Sequence, residues 1–213
     1  MLIPKGKLVI NSKAQSMIEL VVAVSVILVG VVSTLVLTMA TIRGGKASKQ
    51  QVIAASLGRE GAEVARMTRD NNWLSIEASK TRPSSWDDNL GLSDDHTAIA
   101  IFNATNITWT LDYENGTDFS TCLQDEKCRI FFKDGLYAQF ADPANRPLGW
   151  EPTEYYRLIS TLEICADYQS IPSDEFCPPA NPKIGINVKS ETRWFEKNNW
   201  RTLIFEDHLY NWK

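Results

Sequence analysis

The stretch Lys13–Ile42, KAQSMIELVVAVSVILVGVVSTLVLTMATI, decides the fold. From Leu20 to Ile42 the chain runs for 23 residues without a charge. At about 1.5 Å per residue, a helix of that length rises about 34 Å, enough to cross a hydrocarbon core about 30 Å thick. One carboxylate, Glu19, stands at the head of the run, where an ionised acid is least welcome. Before it, Lys5, Lys7 and Lys13 face no acids. By the positive-inside rule this predicts a single pass with the N-terminus inside and the bulk of the chain outside, although Arg43 and Lys46 oppose it. A cleaved secretory signal is the competing reading. Its apolar region usually spans about 7–15 residues and ends in an A-x-A-like site, whereas this run is longer and closes near LTMA.

Working outward, helical character continues beyond the run. After Gly44 and Gly45, an apolar stripe at Ile53, Leu57, Val64 and Met67 keeps to one helical face, with the small residues Ala54, Gly61 and Ala65 beside it. Small residues let another layer approach closely, and a sheet is expected there. The pattern predicts one long helix from about Gln15 to Asn71, with the two glycines as its soft point. Residues 75–96 are rich in Ser, Asp, Asn, Pro and Gly and read as a loop.

Beyond that loop the periodicity changes to two, with β-branched and aromatic residues. TAIAIF, ITWTLDY, RIFFK, LYAQF, YYRLISTLEI, KIGINVKSETRWF and WRTLIFE are the candidate strands. RIFFKDGLYAQF reads as a hairpin turning at Asp134-Gly135, and a second hairpin turns around Lys197–Asn199. The predicted fold class is α+β: a long N-terminal helix, membrane-spanning in its first half, packed by its second half on an antiparallel sheet. The expected organisation is a basic leader (1–14), a transmembrane helix (15–43), an amphipathic second half (44–73) and a β head (74–213).

The net charge of −4 gives no support to nucleic-acid binding through a basic face. The four cysteines, Cys122, Cys128, Cys165 and Cys177, all fall in the part expected outside the cytoplasm, where an even count reads as disulfides. Three connectivities are possible. The local one, Cys122–Cys128 and Cys165–Cys177, is preferred because each pair brackets a short polar segment, LQDEK and ADYQSIPSDEF. Neither pair has C-x-x-C spacing, and the only histidines are His96 and His208, so a four-cysteine zinc site is disfavoured.

KAQSMIELVVAVSVILVGVV resembles the N-terminus of type IV pilins and pseudopilins: a short basic leader ending in a small residue, a brief segment ending in Glu, then an unbroken apolar helix. GREGAEVARMTRDNNW and the closing FEDHLYNWK are similar to prepilin-like proteins in a less specific way. The resemblance implies cleavage by a prepilin peptidase between Ala14 and Gln15, which makes Glu19 the fifth residue of the mature chain. Losing the leader would leave 19 basic against 26 acidic residues, a net −7. It also implies methylation of the new N-terminus, residence in the cytoplasmic membrane, and delivery by an assembly platform into a pilus or pseudopilus beside other pilin subunits. In such a filament the partner of Glu19 is a neighbour's N-terminal amine, here that of Gln15. Three features depart from the family pattern: Ala14 stands where glycine is usual, Gln15 where phenylalanine is usual, and no proline interrupts residues 15–42.

No catalytic constellation accompanies this anchor. G-x-S-x-G, H-E-x-x-H and a phosphate-cradling glycine loop are all missing from the sequence, so no enzyme activity and no cofactor are expected. GLSDDH (Gly91–His96) reads as a solvated acidic loop before it reads as a metal site. Asn103, Asn106 and Asn115 head N-x-T triplets, read as chance matches to a glycosylation acceptor. Trp109, Trp194 and Trp200 are expected to pack on the sheet. The rival to a filament subunit is an uncleaved, signal-anchored envelope protein whose head binds a ligand.

Overall fold

A computed structural model describes residues 12–79, 85–91, 97–103, 106, 108–113, 118–171 and 176–211, with backbone alone for 12–16 and 79. The chain divides into two compact units, Met1–Gln50 and Gln51–Lys213. In the first, every described residue belongs to helix α1 (Ser12–Ser79), which continues into the second. The helix runs through Gly44 and Gly45 without interruption, and a Cβ at either would meet nothing.

The helix ends eight residues later than the expected Asn71. Asparagine usually weakens a helix interior by competing for nearby backbone bonds. Here Asn72 is buried and its amide donates instead to the carbonyls of Trp86 (3.1 Å) and Asp88 (2.6 Å), which removes that competition. The same two bonds hold the segment 85–91 against the helix. Lys183 reinforces that segment by pairing with Asp87 (2.7 Å) and Glu163 (3.2 Å). Burial pushes the Asp87 carboxyl up, but the bonds from Lys183 and Ser85 more than offset it, and its pKa lies below the ordinary value.

Seven strands follow as β1 (Thr97–Asn103), β2 (Thr108–Asp112), β3 (Arg129–Lys133), β4 (Leu136–Ala138), β5 (Glu151–Cys165), β6 (Lys183–Glu196) and β7 (Asn199–Tyr210). All pair antiparallel in one sheet. β5 is the organising strand. One edge carries β6 and then β7; the other carries β3–β4 near Glu151–Tyr156 and β1–β2 near Ile159–Ser160. Both predicted hairpins form. Asp134 and Gly135 have positive φ (49° and 87°), as do Lys197 and Asn198 (48° and 69°), matching the twist a two-residue hairpin turn requires. A short helix, α2 (Phe119–Gln124), was not foreseen; Asp118 caps it by accepting from the Thr121 N–H at 2.8 Å.

The part of α1 in the second unit lies on one sheet face. Ala54, Leu57, Ala62, Val64 and Ala65 are buried, against Ile159, Ile186, Val188 and Leu209 at one end and Ile130, Tyr155 and Trp194 at the other. α2 packs on the opposite face, where Phe119, Cys122 and Cys128 meet Ile99 and Leu158. Two glycines show how closely α1 approaches. A Cβ on Gly61 would overlap Ser190 Oγ and press on Arg157 Cδ and Ile159 Cδ1 at 3.2 Å. A Cβ on Gly58 would make ordinary contacts of 3.4–3.7 Å with Phe205, Thr192 and Leu203. We therefore expect Gly61→Val to cost about 3 kcal/mol through overpacking. Gly58→Ala should gain roughly 0.5–1 kcal/mol from helix propensity. Urea unfolding of the detergent-solubilised full chain, followed by tryptophan fluorescence, distinguishes them. Equal effects at both positions would contradict a close helix–sheet contact at Gly61.

Candidate membrane and assembly segment

The apolar stretch of α1 buries none of its side chains. Leu20, Val26, Val29, Val36 and Leu37 are each roughly two-thirds exposed, and so are Met17 and Ile18 just before them. Soluble protein does not leave such a surface bare, so the segment requires a hydrocarbon or protein environment. Its length and composition suffice to cross a membrane.

The polar groups inside this stretch agree with that requirement. Five side chains between Leu20 and Ile42 carry hydroxyls, and all five donate to the carbonyl four residues earlier: Ser25 to Val21, Ser33 to Val29, Thr34 to Gly30, Thr38 to Thr34 and Thr41 to Leu37, at 2.7–2.9 Å. In hydrocarbon an unsatisfied hydroxyl costs several kcal/mol, and this pattern removes that cost without any partner helix. Among the described residues, Glu19 makes no such local side-chain bond. Its side chain is exposed on α1, one residue before the uncharged run. The backbone of Ala14 and Gln15 also belongs to α1. Residues 1–11, with Lys5 and Lys7, lie outside the described residues.

In the second unit the cysteines stand as the two local pairs. Cys122 and Cys128, and likewise Cys165 and Cys177, are at disulfide distance, with Cα atoms 5.5 Å apart in each pair. The first pair fastens α2 to the start of β3; the second closes a loop from the end of β5. In the chain-entropy account, loops this short contribute on the order of 2–3 kcal/mol each.

One central feature of the head gave no sequence signal. Arg157, on β5, is only 1% exposed. Its guanidinium donates to Glu60 Oε1 at 2.8 Å, to the Leu57 carbonyl at 3.0 Å and, through Nε, to Gln139 Oε1 at 3.0 Å. Gln139, fully buried, donates in turn to the carbonyls of Cys128 (2.9 Å) and Arg157 (2.8 Å). The cation thus ties helix, sheet and the β4 end together. Among alternating residues of YYRLIS, nothing local separates an inward arginine from an outward one.

The remaining expected positions scatter. Trp194 is core, and Trp200, though 47% exposed, packs edge-on against Phe195 and Tyr156 on the face opposite α1. Asn103 and Asn106 are exposed around the β1–β2 turn; Asn115 and His96 fall outside the described residues. Among the described residues, no three His, Cys, Asp or Glu side chains are grouped to hold a metal ion. Compared with family models, curated proteins and solved structures, the chain matches none.

Proposed function

We propose that this chain is a structural subunit of a type IV pilus or pseudopilus. It is made as a prepilin with its head outside the cytoplasmic membrane, cut after Ala14, and drawn by the assembly platform into a filament of like subunits. The observation that carries this reading is the form of α1. A 23-residue uncharged stretch, wholly exposed and with every hydroxyl satisfied within the helix, is headed by one carboxylate and leads into an α+β head. An anchor that only held the head in place would gain nothing from Glu19. An assembly helix gains register, because any mis-stagger leaves Glu19 and the neighbour's Gln15 amine both unpaired in low dielectric. The role is non-enzymatic: packed helices form the filament core, where Gly30, Ser33 and Ala40 admit close neighbours.

The mass of the N-terminal peptide, taken from membrane and from sheared surface fractions, tests the reading. We expect a chain beginning at Gln15 and recovered in the sheared fraction. A chain that keeps Met1–Ala14 and stays in the membrane would instead establish a simple anchor with a ligand-binding head.

A further inference from the structure

The second unit contains a cleft of about 330 Å³ between the outer end of α1, the segment 85–91 and strand β2. That volume lies at the small end of the range of roughly 300–1,000 Å³ typical of ligand sites. Its chemistry is unusual for a chain in which 23% of residues are charged, because no described residue lining it carries a charge. The polar groups are Thr68, Asn71 and Asn72 from α1, Asn89 from the loop and Thr110 from β2, and Trp109 supplies an aromatic wall. Met67 and Leu111 complete the apolar part.

These groups are held in place by the fold. Trp109 packs on the margin of the main core cluster and against Phe102, with ring centroids 5.1 Å apart. Asn72 is buried and bonded to the loop carbonyls, which sets the position of Asn89, whose backbone sits at φ 63°. Among the described residues, none bonds to the side chains of Asn71, Asn89 or Thr110, and all three are exposed. Among the described residues, β2 ends its side of the sheet, with no further strand on its outer backbone edge.

We propose that this cleft binds a neutral sugar ring. A pyranose has one face of C–H groups, weakly positive, that stacks on the negative face of an indole. Its rim of hydroxyls donates and accepts at once, which a carboxamide matches with its own donor and acceptor side by side. The exposed side chains of Asn71, Asn89 and Thr110 around one tryptophan supply that combination, while Asn72 and Thr68 are already bonded within the fold. An anionic ligand would call for a cation, and among the described residues none lines the cleft. The site lies wholly in the second unit and does not depend on whether the chain enters a filament.

The test uses the full chain in lipid nanodiscs free of glycoside detergent, with glucose, galactose, mannose and N-acetylglucosamine as probes in saturation-transfer NMR. We expect transfer to the ring C–H protons of at least one sugar, at millimolar affinity. The double variant Asn71→Ala/Thr110→Ala changes only exposed side chains and should weaken that affinity about tenfold, as loss of a hydrogen-bonding partner does. No transfer to any of the four sugars would overturn the proposal, and so would transfer that the double variant leaves unchanged.

Discussion

A Glu19→Gln chain is expected to stay in the membrane with a folded head, while its recovery in the sheared surface fraction falls by about a hundredfold or more. The magnitude follows from the partner. Removing one member of a buried ion pair costs about 3–5 kcal/mol, because the other charge is left uncompensated, and each 1.4 kcal/mol is a factor of ten. In the proposed filament the stranded charge is the Gln15 amine of a neighbour, and it recurs at every subunit contact. In the membrane the variant loses nothing, since a neutral amide at that depth is cheaper than a carboxylate. The readout is the ratio of sheared to membrane-bound protein, with the two cysteine pairs mapped to show an intact head. Normal incorporation of Glu19→Gln would sink the assembly role and favour the uncleaved anchor.

The second large effect concerns the head. We expect Arg157→Ala to destabilise it by about 3–5 kcal/mol, the range for breaking a buried charged network. Three acceptors lose their donor together: Glu60 Oε1, the Leu57 carbonyl and Gln139 Oε1. The Glu60 side chain is 35% exposed and regains water, which places the cost toward the lower end. Gln139 cannot do the same, being fully buried. Arg157→Lys should recover only part of the loss, because an ammonium cannot reproduce the fork that reaches Gln139 and the helix simultaneously. Urea unfolding measures both variants; a loss under about 1 kcal/mol for Arg157→Ala would show that the network is dispensable.

The same molecule shows which kinds of information a sequence carries openly. The strands were legible from their runs of β-branched and aromatic residues, with clear alternation in parts of β5, β6 and β7, and the hairpin turns from Asp-Gly and from the asparagines after Lys197. The first part of α1 was legible from its run of apolar residues alone. Misread features are those whose cause lies far along the chain. The extension of α1 to Ser79 depends on carbonyls 14 and 16 residues beyond Asn72. The buried Arg157 depends on Glu60, 97 residues earlier. α2 is too short, at six residues, for any periodicity to register, although Asp118 before it is an ordinary capping signal. The cleft beside Trp109 joins three segments that no local pattern connects. Glu19 was visible because its neighbours are so unlike it, and in the proposed filament its partner lies in another chain.

The position of β5 in the chain has a consequence in time. Every strand on one edge of β5 is made before it, and both strands on the other edge are made after it. The inner face of α1 must therefore wait for β5 and β6 before it has a surface to lie on. From Thr97 to Glu196 is 100 residues. At synthesis rates of roughly 5–20 residues per second, that leaves the first strand uncovered for about 5–20 s, and the apolar stripe of α1, made earlier, for longer. A chain made from its N-terminus thus passes through an interval in which its most apolar surfaces are bare.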